Sequence, residues 1–372
     1  MSNHPSKSIR VLSGASFLVL LSALAYPGCA ATASGDVYVL SNQSGGNSVM
    51  VYHRDAHGAL TFSDSFASGG NGSGSGADPL GSQNPVVLSD DGKFLFAVNA
   101  GSDSITAFKI HGDRLKLVNT VSSSGTMPVS LAVRKNLVYV LNAGGTPNIS
   151  GFIVNRASGA LAPLSNSTEA LPGGMSAAPA EVAFANHEPV LAVTEKGTNA
   201  IDTFVLSGGV AQAGNSYPSA AETPFGFAFG KRDVAIVSDA VGGGDDASEL
   251  SSYRVTRSGD VKDITAGAGD NQTGACWVVV TRDGKYAFTS NTGSGTISSY
   301  HVSNTGALSL QNVSAGAAEV PVDMGMTSDS RFLYTRDAGD GMIIGFGVKN
   351  GALTQMTSAA GLPSGAAGLA AR

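Results

Sequence analysis

The chain has 372 residues, a formal net charge of −6 and only 13% charged residues, about half the usual share. With 49 glycines and 14 prolines it does not suit helical bundles or coiled coils, and it favours an all-β fold with tight turns. The acidic balance argues against a nucleic-acid partner, because phosphate binding needs a basic surface.

The N-terminal segment, residues 1–33, is predicted to be a signal peptide. Lys7 and Arg10 precede an uncharged run at 11–25, and Ala31-Thr32-Ala33 matches the small-x-small pattern of signal peptidase sites. The run is short for a bilayer span, and no other stretch is long and apolar enough. We therefore expect a secreted or periplasmic protein with no transmembrane segment after cleavage.

The two cysteines have separate interpretations. Gly28 precedes Cys29, so a lipid anchor at Cys29 is the alternative to simple secretion. Cleavage after Ala33 leaves Cys276 alone, and one cysteine cannot form an intramolecular disulfide. The fold must then be stabilised by its core.

A repeated unit fills residues 34–372. Each copy has an apolar strand, a polar turn and a second strand of alternating apolar and polar residues, often followed by Gly-x-Leu. The copies recur about every 49 residues, the spacing of a four-stranded propeller blade. The apolar strands of the seven copies begin at Val37, Phe94, Val138, Val190, Val234, Tyr286 and Phe332.

A short apolar strand, usually opened by proline, precedes every copy except the first. These strands begin at Pro85, Pro128, Pro179, Pro224, Cys276 and Pro321. The missing instance stands at the end of the chain, at 366–370. Since an open ring would leave two unpaired edges, we expect the C-terminal strand to close the first blade at its inner side. The sequence thus predicts an all-β, seven-bladed β-propeller as a single domain over 34–372, with a mobile Gly/Ser-rich loop at 69–78.

Several motifs resemble a known family. Asn99-Ala100-Gly101, Asn142-Ala143-Gly144 and Asp283-Gly284-Lys285-Tyr286 resemble repeats of the lactonase-family propellers, which include bacterial 6-phosphogluconolactonases and fungal carboxy-muconate cyclases. Residues 193–199, 223–227 and 275–277 resemble a secreted bacterial branch. The resemblance covers nearly all of 34–372 and implies hydrolysis of a sugar or other lactone.

The chain departs from that family in its cationic residues. The resemblance implies His and Arg side chains that bind an anionic substrate. Here the inner-strand motifs carry Pro-Val, Pro-Phe or Cys-Trp, and no histidine falls on them. Lys196 and Arg336 are the positive charges expected near the site, fewer than a phosphorylated or dicarboxylate substrate would need.

Strand direction in a propeller brings the start of each innermost strand and the end of the next strand to one face, here called the mouth. Small-molecule sites favour such a concave face. The ligand-binding candidates are Asn99, Asn142, Glu195, Lys196, Asp239, Trp277, Asn291, Arg336 and Asp337. The asparagines could instead form ordinary turns, and Trp277 could pack between blades. Cys276 is expected to be a buried thiol rather than a nucleophile, because no histidine lies nearby in sequence.

Alternation along the innermost strands predicts which residues face the central channel. One set, expected to face it, is Val87, Ser130, Glu181, Gly226, Val278, Asp323 and Gly368. The other set, expected to pack between blades, is Leu88, Leu131, Val182, Phe227, Val279, Met324 and Leu369. Glu181 and Asp323 are therefore the catalytic candidates as a general acid/base pair, or with a mouth asparagine the ligands of a divalent cation. The alternative is that both acids bind ordered channel water.

Three functions follow from these observations. The first is an extracytoplasmic lactonase-like hydrolase acting on a small-molecule ligand without an organic cofactor. The second is a non-catalytic binding or scaffold propeller of the cell envelope, suggested by the missing His and Arg. The third is a lactonase that depends on a divalent cation. A closed ring has no sheet edge that demands a partner, so a monomer is expected.

Overall fold

The computed structural model describes residues 1–2 and 34–372. Residues 34–372 form one compact unit, which contains every strand found among the described residues. The predicted signal peptide, with Lys7, Arg10 and Cys29, lies almost entirely outside the described residues. None of the helices in the described part has the length and apolar character needed to cross a membrane.

Seven antiparallel sheets form the blades of a propeller. Blade 1 holds β1 (Gly35–Leu40), β2 (Ser48–Arg54) and β3 (Leu60–Ala67). Blade 2 holds β4 (Val86–Leu88), β5 (Phe94–Asn99), β6 (Ser104–His111) and β7 (Arg114–Ser122). Blade 3 holds β8 (Thr126–Arg134), β9 (Leu137–Gly144), β10 (Asn148–Val154), β11 (Leu161–Pro163) and β12 (Glu169–Ala170). Blade 4 holds β13 (Pro179–Phe184), β14 (Val190–Glu195), β15 (Ala200–Ser207), β16 (Val210–Ala211) and β17 (Asn215–Pro218).

The remaining blades each have four strands in chain order from the axis outwards. Blade 5 holds β18 (Pro224–Phe229), β19 (Val234–Asp239), β20 (Glu249–Val255) and β21 (Val261–Gly269). Blade 6 holds β22 (Ala275–Val280), β23 (Tyr286–Asn291), β24 (Thr296–Val302) and β25 (Leu308–Ala317). Blade 7 holds β26 (Pro321–Met326), β27 (Phe332–Asp337), β28 (Met342–Lys349) and β29 (Ala352–Ala360). Short 3₁₀ turns lie at Ala100–Ser102, Gly174–Ser176, Lys231–Asp233 and Val241–Gly243.

The last strand, β30 (Ala367–Ala371), returns to blade 1 and closes the ring. It pairs antiparallel with β1, with Tyr38 opposite Ala370 and Val37 opposite Ala371. The predicted seven-bladed propeller and its closure by the C-terminal strand are therefore confirmed.

Burial explains the two kinds of strand pattern in the sequence. The second strand of a blade is covered on both sides by neighbouring blades, so β5 is buried at every position and reads as a nearly continuous apolar run. The outermost β25 lies at the rim, where nearly all of its residues reach solvent. The core is consequently spread between adjacent blades around the ring.

The innermost strands of blades 3 to 7 depart from simple alternation, because each contains a β-bulge. The pairing register shifts by one residue between Pro128 and Ser130, between Pro179 and Glu181, and between Val322 and Met324, with further shifts in blades 5 and 6. A bulge turns the following side chains to other directions. Phe227, Met324 and Leu369 pack between blades as predicted, and they also line an axial cavity together with Leu88 and Val279.

The Gly/Ser-rich connection between blades 1 and 2 is not a free loop. Gly72 N donates to Gln43 O and Gly74 N donates to Asn42 O, so the segment lies against the end of blade 1. It continues over the mouth as residues 77–84, here called the plug, which enter the axis before β4 begins.

Closure by β30 yields a prediction for stability. Leu369 is buried between blades 1 and 7, and its removal would leave a cavity in the seam of the ring. Leu369→Ala should lower the free energy of unfolding by about 2–5 kcal/mol in urea titration. Leu310→Ala, on the exposed β25, is the control and should change it by less than about 0.5 kcal/mol. Equal effects of both substitutions would contradict the closing role of β30.

Candidate functional site

The plug closes the channel through one amide side chain. Gln83 Nε2 donates to Phe227 O at 3.2 Å and to Val278 O at 3.0 Å. Its Oε1 accepts from Val278 N at 2.9 Å, and its backbone N–H bonds to Ala180 O. Gln83 thus connects three blades, and it separates the mouth from an axial cavity on the opposite side.

Glu181 lies beneath the plug and is fully buried. Asn84 Nδ2 donates to its Oε1 at 2.6 Å, and Phe227 N donates to its Oε2 at 2.6 Å. Burial raises the pKa of Glu181 well above its ordinary value, although these two donors act in the opposite direction. Burial thus favours the protonated form of this carboxyl group, which fastens the plug to blade 5.

Asp323 sits at the bulge of β26 with a φ of 46°, a left-handed conformation that turns its side chain out of the strand pattern. Its Oδ2 accepts from Arg336 Nε at 3.2 Å and from Gly368 N at 2.8 Å. Arg336 Nη2 in turn donates to Ala77 O at 2.7 Å. This buried ion pair holds the beginning of the plug against blade 7.

The two catalytic candidates therefore have separate surroundings. Glu181 contacts the plug and blade 5, while Asp323 contacts Arg336 and the closing strand. No hydrogen bond or ion pair found in the described part of the chain joins one carboxyl to the other. Their assignment as an acid/base pair stays a prediction.

A third carboxylate, Asp78, stands at the mouth and was missed by the sequence analysis. It lies half-buried in the plug, where Gly81 N donates to its Oδ1 at 3.0 Å. Burial and the nearby Asp323 raise the pKa of Asp78 to about 6, against the opposing effect of Lys196 and Arg336. The sequence did contain one indication of Asp78, because it is the only charged residue between positions 65 and 89.

Lys196 is the cation beside Asp78. Its Nζ donates to Gly81 O and lies 4.5 Å from the ring centroid of Phe225, a cation–π geometry. Burial lowers the pKa of Lys196, while Asp78 and Cys276 raise it. The ammonium group is half-buried at the mouth, and its position is fixed by the same turn that fixes Asp78.

The neighbouring Cys276 and Trp277 are packed into the protein, as the structural alternatives for these two residues predicted. Burial raises the pKa of the Cys276 thiol to about 12, so the reactive thiolate is scarce at neutral pH. Trp277 is buried against Phe225 with ring centroids 5.1 Å apart, and its indole N–H donates to Ser82 O at 2.9 Å. Trp277 thus anchors the plug, and a ligand-binding role for it stays a prediction.

The predicted mouth residues at the ends of the second strands are buried and serve a common purpose. Most of them bond the segment that leaves the preceding blade. The contacts are Asn99 with Ser68, Asn142 with Ser123, Glu195 with Gly173, Asp239 with Ser219, and Asp337 with Glu319 and Val320, while Asn291 bonds Thr296 and Ser298 in its own blade. These side chains lie on the mouth side, where most of them link adjacent blades through hydrogen bonds. Their ligand-binding role is not tested and stays a prediction.

The possible metal-ligating side chains of the described residues do not form a metal site. Among residues 1–2 and 34–372, no three His, Cys, Asp or Glu side chains cluster in a way that could hold a metal ion. The oxygens of Glu181 and Oδ2 of Asp323 already accept hydrogen bonds from the chain. The cation site predicted from these two acids therefore does not fit their surroundings.

Acidic side chains outnumber basic ones at the mouth. Exposed carboxylates occupy its turns, whereas Lys196 and Arg336 are the only lysine or arginine on this face within the described residues. The exposed acids include Asp103, Glu222, Asp245, Asp246, Glu319 and Asp340. Anions approaching the site are consequently repelled.

Comparisons with known proteins agree with this fold. The sequence model of the family described as Lactonase, 7-bladed beta-propeller matches residues 47–175 and 246–367. A putative 6-phosphogluconolactonase from Bacteroides uniformis is similar at 18% identity and a TM-score of 0.70, over 90% of this chain and 99% of that one. The periplasmic gluconolactonase PpgL of Pseudomonas aeruginosa is similar at 17% identity and a TM-score of 0.67, over 90% and 98%. No curated protein sequence matches the chain significantly.

Burial of Glu181 gives a pH-dependent prediction. Because its pKa is raised in the folded state, the stability that the neutral carboxyl contributes is lost as the pH rises towards that folded pKa. Relative to Glu181→Gln, the free energy of unfolding of the wild type should fall with rising pH by up to about 1.4 kcal/mol per pH unit. Urea titrations at several pH values measure this difference. Glu222→Gln, at an exposed site, should follow the wild type, and a parallel profile for Glu181→Gln would refute the assignment.

Proposed function

Because the chain belongs to the lactonase family of seven-bladed β-propellers, we propose that it hydrolyses a lactone at the mouth. Asp78 is the general base in this proposal, and Lys196 is the cation that stabilises the oxyanion. The observation that carries the proposal is that Asp78 and Lys196 both bond Gly81 in the half-buried plug, with the pKa of Asp78 raised to about 6. A base with a pKa near the working pH is effective in proton transfer.

The reaction proceeds in two steps that conserve protons. Asp78 takes a proton from a water molecule as the water oxygen attacks the lactone carbonyl carbon. The carbonyl oxygen becomes an oxyanion beside the ammonium group of Lys196, where burial strengthens the attraction. The intermediate then collapses, the bond between carbonyl carbon and ring oxygen breaks, and the ring oxygen receives the proton from Asp78. The product is an open-chain hydroxy acid.

Asp323 and Arg336 act as positioning residues in this proposal. Their ion pair fixes Ala77, the residue before Asp78, so it sets the direction of the catalytic carboxylate. Glu181 supports the other end of the plug through Asn84. Both acids that the sequence predicted as catalytic, Glu181 and Asp323, thus hold the plug in position in this proposal.

The charge around the mouth supports an uncharged substrate. Lys196 and Arg336 are balanced by Asp78 and Asp323, and both cations already donate to plug carbonyl groups. The described mouth residues therefore offer no excess of positive charge to bind a phosphate. A neutral sugar lactone or aliphatic lactone fits this site better than a phosphorylated one.

The cellular location belongs to the same proposal. Lys7, Arg10 and the run 11–25 support export to the periplasm or the medium, and lipid anchoring at Cys29 is the alternative. The similar gluconolactonase from Pseudomonas aeruginosa is described as periplasmic. Either location would expose the site to lactones outside the cytoplasm.

Asp78 provides the decisive test of the catalytic assignment. Asp78→Asn preserves the bond from Gly81 N and should lower kcat/KM by about 10²–10⁴-fold. In the wild type, kcat/KM should rise as the pH increases through about 6 and level off above it, because only ionised Asp78 accepts the proton. Asp245→Asn, an exposed acid on the same face, should leave both the rate and the pH profile unchanged.

The companion variants separate competing assignments. Lys196→Met should lower kcat by about 10²–10³-fold. A larger loss in Glu181→Gln than in Asp78→Asn would transfer the chemistry to the axis, and activity abolished by a chelator would favour the cation-dependent alternative. Folded wild-type protein that hydrolyses no member of a sugar and aliphatic lactone panel would favour a non-catalytic binding propeller.

Substrate charge gives a separate prediction. The wild type should have a higher kcat/KM for a neutral aldonolactone than for its phosphorylated counterpart, because the acidic mouth repels the phosphate. Raising the salt concentration should narrow this difference by screening the repulsion. Initial rates on both substrates at low and high salt measure the effect. A preference for the phosphorylated substrate would refute the charge argument.

A further inference from the structure

Charge is divided between the two faces of the ring. Every lysine and arginine of residues 34–372 except Lys196 and Arg336 lies in or beside the turns of the face opposite the mouth, here called the base. The histidines of these residues lie there too. The overall net charge of −6 conceals this separation, since acids predominate only at the mouth.

Carboxylates at the base reduce its charge without cancelling it. Asp91 contacts Lys93 at 3.0 Å and Asp283 contacts Lys285 at 3.8 Å, within exposed turns. Cations still outnumber carboxylates on this face. One groove between blades 5, 6 and 7 brings together the exposed side chains of Lys231, Arg282 and Lys349.

The centre of the base is apolar. A cavity of about 390 Å³ opens there along the axis and ends at Gln83 and Glu181. Its outer wall consists of half-buried side chains from different blades, namely Leu88, Phe229, Val280 and Met326. Basic turns thus surround an apolar opening.

We propose that the base is a docking surface for a phospholipid bilayer rich in anionic lipid. Cationic turns attract the phosphate groups over several ångströms, and the axial opening accepts hydrocarbon from the lipid layer. The basic turns complement the charge of the lipid phosphates, and the apolar centre complements the lipid hydrocarbon. Docking in this orientation turns the mouth towards the aqueous phase.

The same features distinguish a bilayer from other polyanions. A nucleic acid or an acidic polysaccharide would use the cations but would leave the apolar opening uncovered, and single-stranded nucleic acid would want several aromatic platforms. Three phenylalanines line the cavity, but Phe184 and Phe227 are buried, which leaves Phe229 as the one half-buried aromatic ring there. A bilayer offers phosphate groups and hydrocarbon together.

Vesicle sedimentation with residues 34–372, which contain every strand of the ring, tests the proposal without the N-terminal apolar run. The protein should sediment with vesicles of phosphatidylcholine and phosphatidylglycerol, much less with phosphatidylcholine alone, and binding should fall as salt rises. The triple variant Lys231→Gln, Arg282→Gln and Lys349→Gln should bind on the order of a hundredfold more weakly.

A matched control changes the net charge equally on the other face. Ser44→Glu, Ser75→Glu and Ala170→Glu are exposed positions at the mouth, and this variant should bind like the wild type. Thermal melting of both variants confirms that they are folded. Equal loss in both variants, equal binding to neutral vesicles, or binding to heparin or DNA without binding to anionic vesicles would overturn the proposal.

Discussion

The structure depends on how the axis of a seven-bladed ring is filled. Bulges in the innermost strands free backbone groups from strand pairing, and each buried group needs a partner. Gln83 meets this need for Phe227 and Val278, and Glu181 accepts from the N–H of Phe227. The plug is therefore part of the frame, and the mouth acquires its shape from it.

The electrostatic character of the site follows from this arrangement. The plug brings Asp78 over the mouth, next to Lys196 and above the Asp323–Arg336 pair, where water is partly excluded. Exclusion of water raises the pKa of Asp78 into the range useful for proton transfer and places the cation beside it. The hydrogen bonds needed at the axis thereby hold a carboxylate of raised pKa at the mouth.

Repetition made the ring predictable from the sequence, including its closure by the last strand. The mouth was harder, because bulges at Asp323 and near Glu181 break the alternation from which side-chain directions are read. Asp78 was missed for another reason: it lies in a Gly/Ser-rich connection outside the repeat. Its role depends on blades far away in sequence, which local pattern does not reveal.

The origin of the plug has a consequence for the order of folding. The plug belongs to the connection after the first blade, yet its partners come much later in the chain. Gln83 bonds Val278, 195 residues further on, and Ala77 bonds Arg336, 259 residues further on. During synthesis the first blades exist before these partners, and blade 1 lacks its inner strand until residue 371 is made. Contacts of such long sequence separation form slowly because of loop-closure entropy. Completion of the mouth therefore coincides with completion of the chain, and a truncated nascent product has no site.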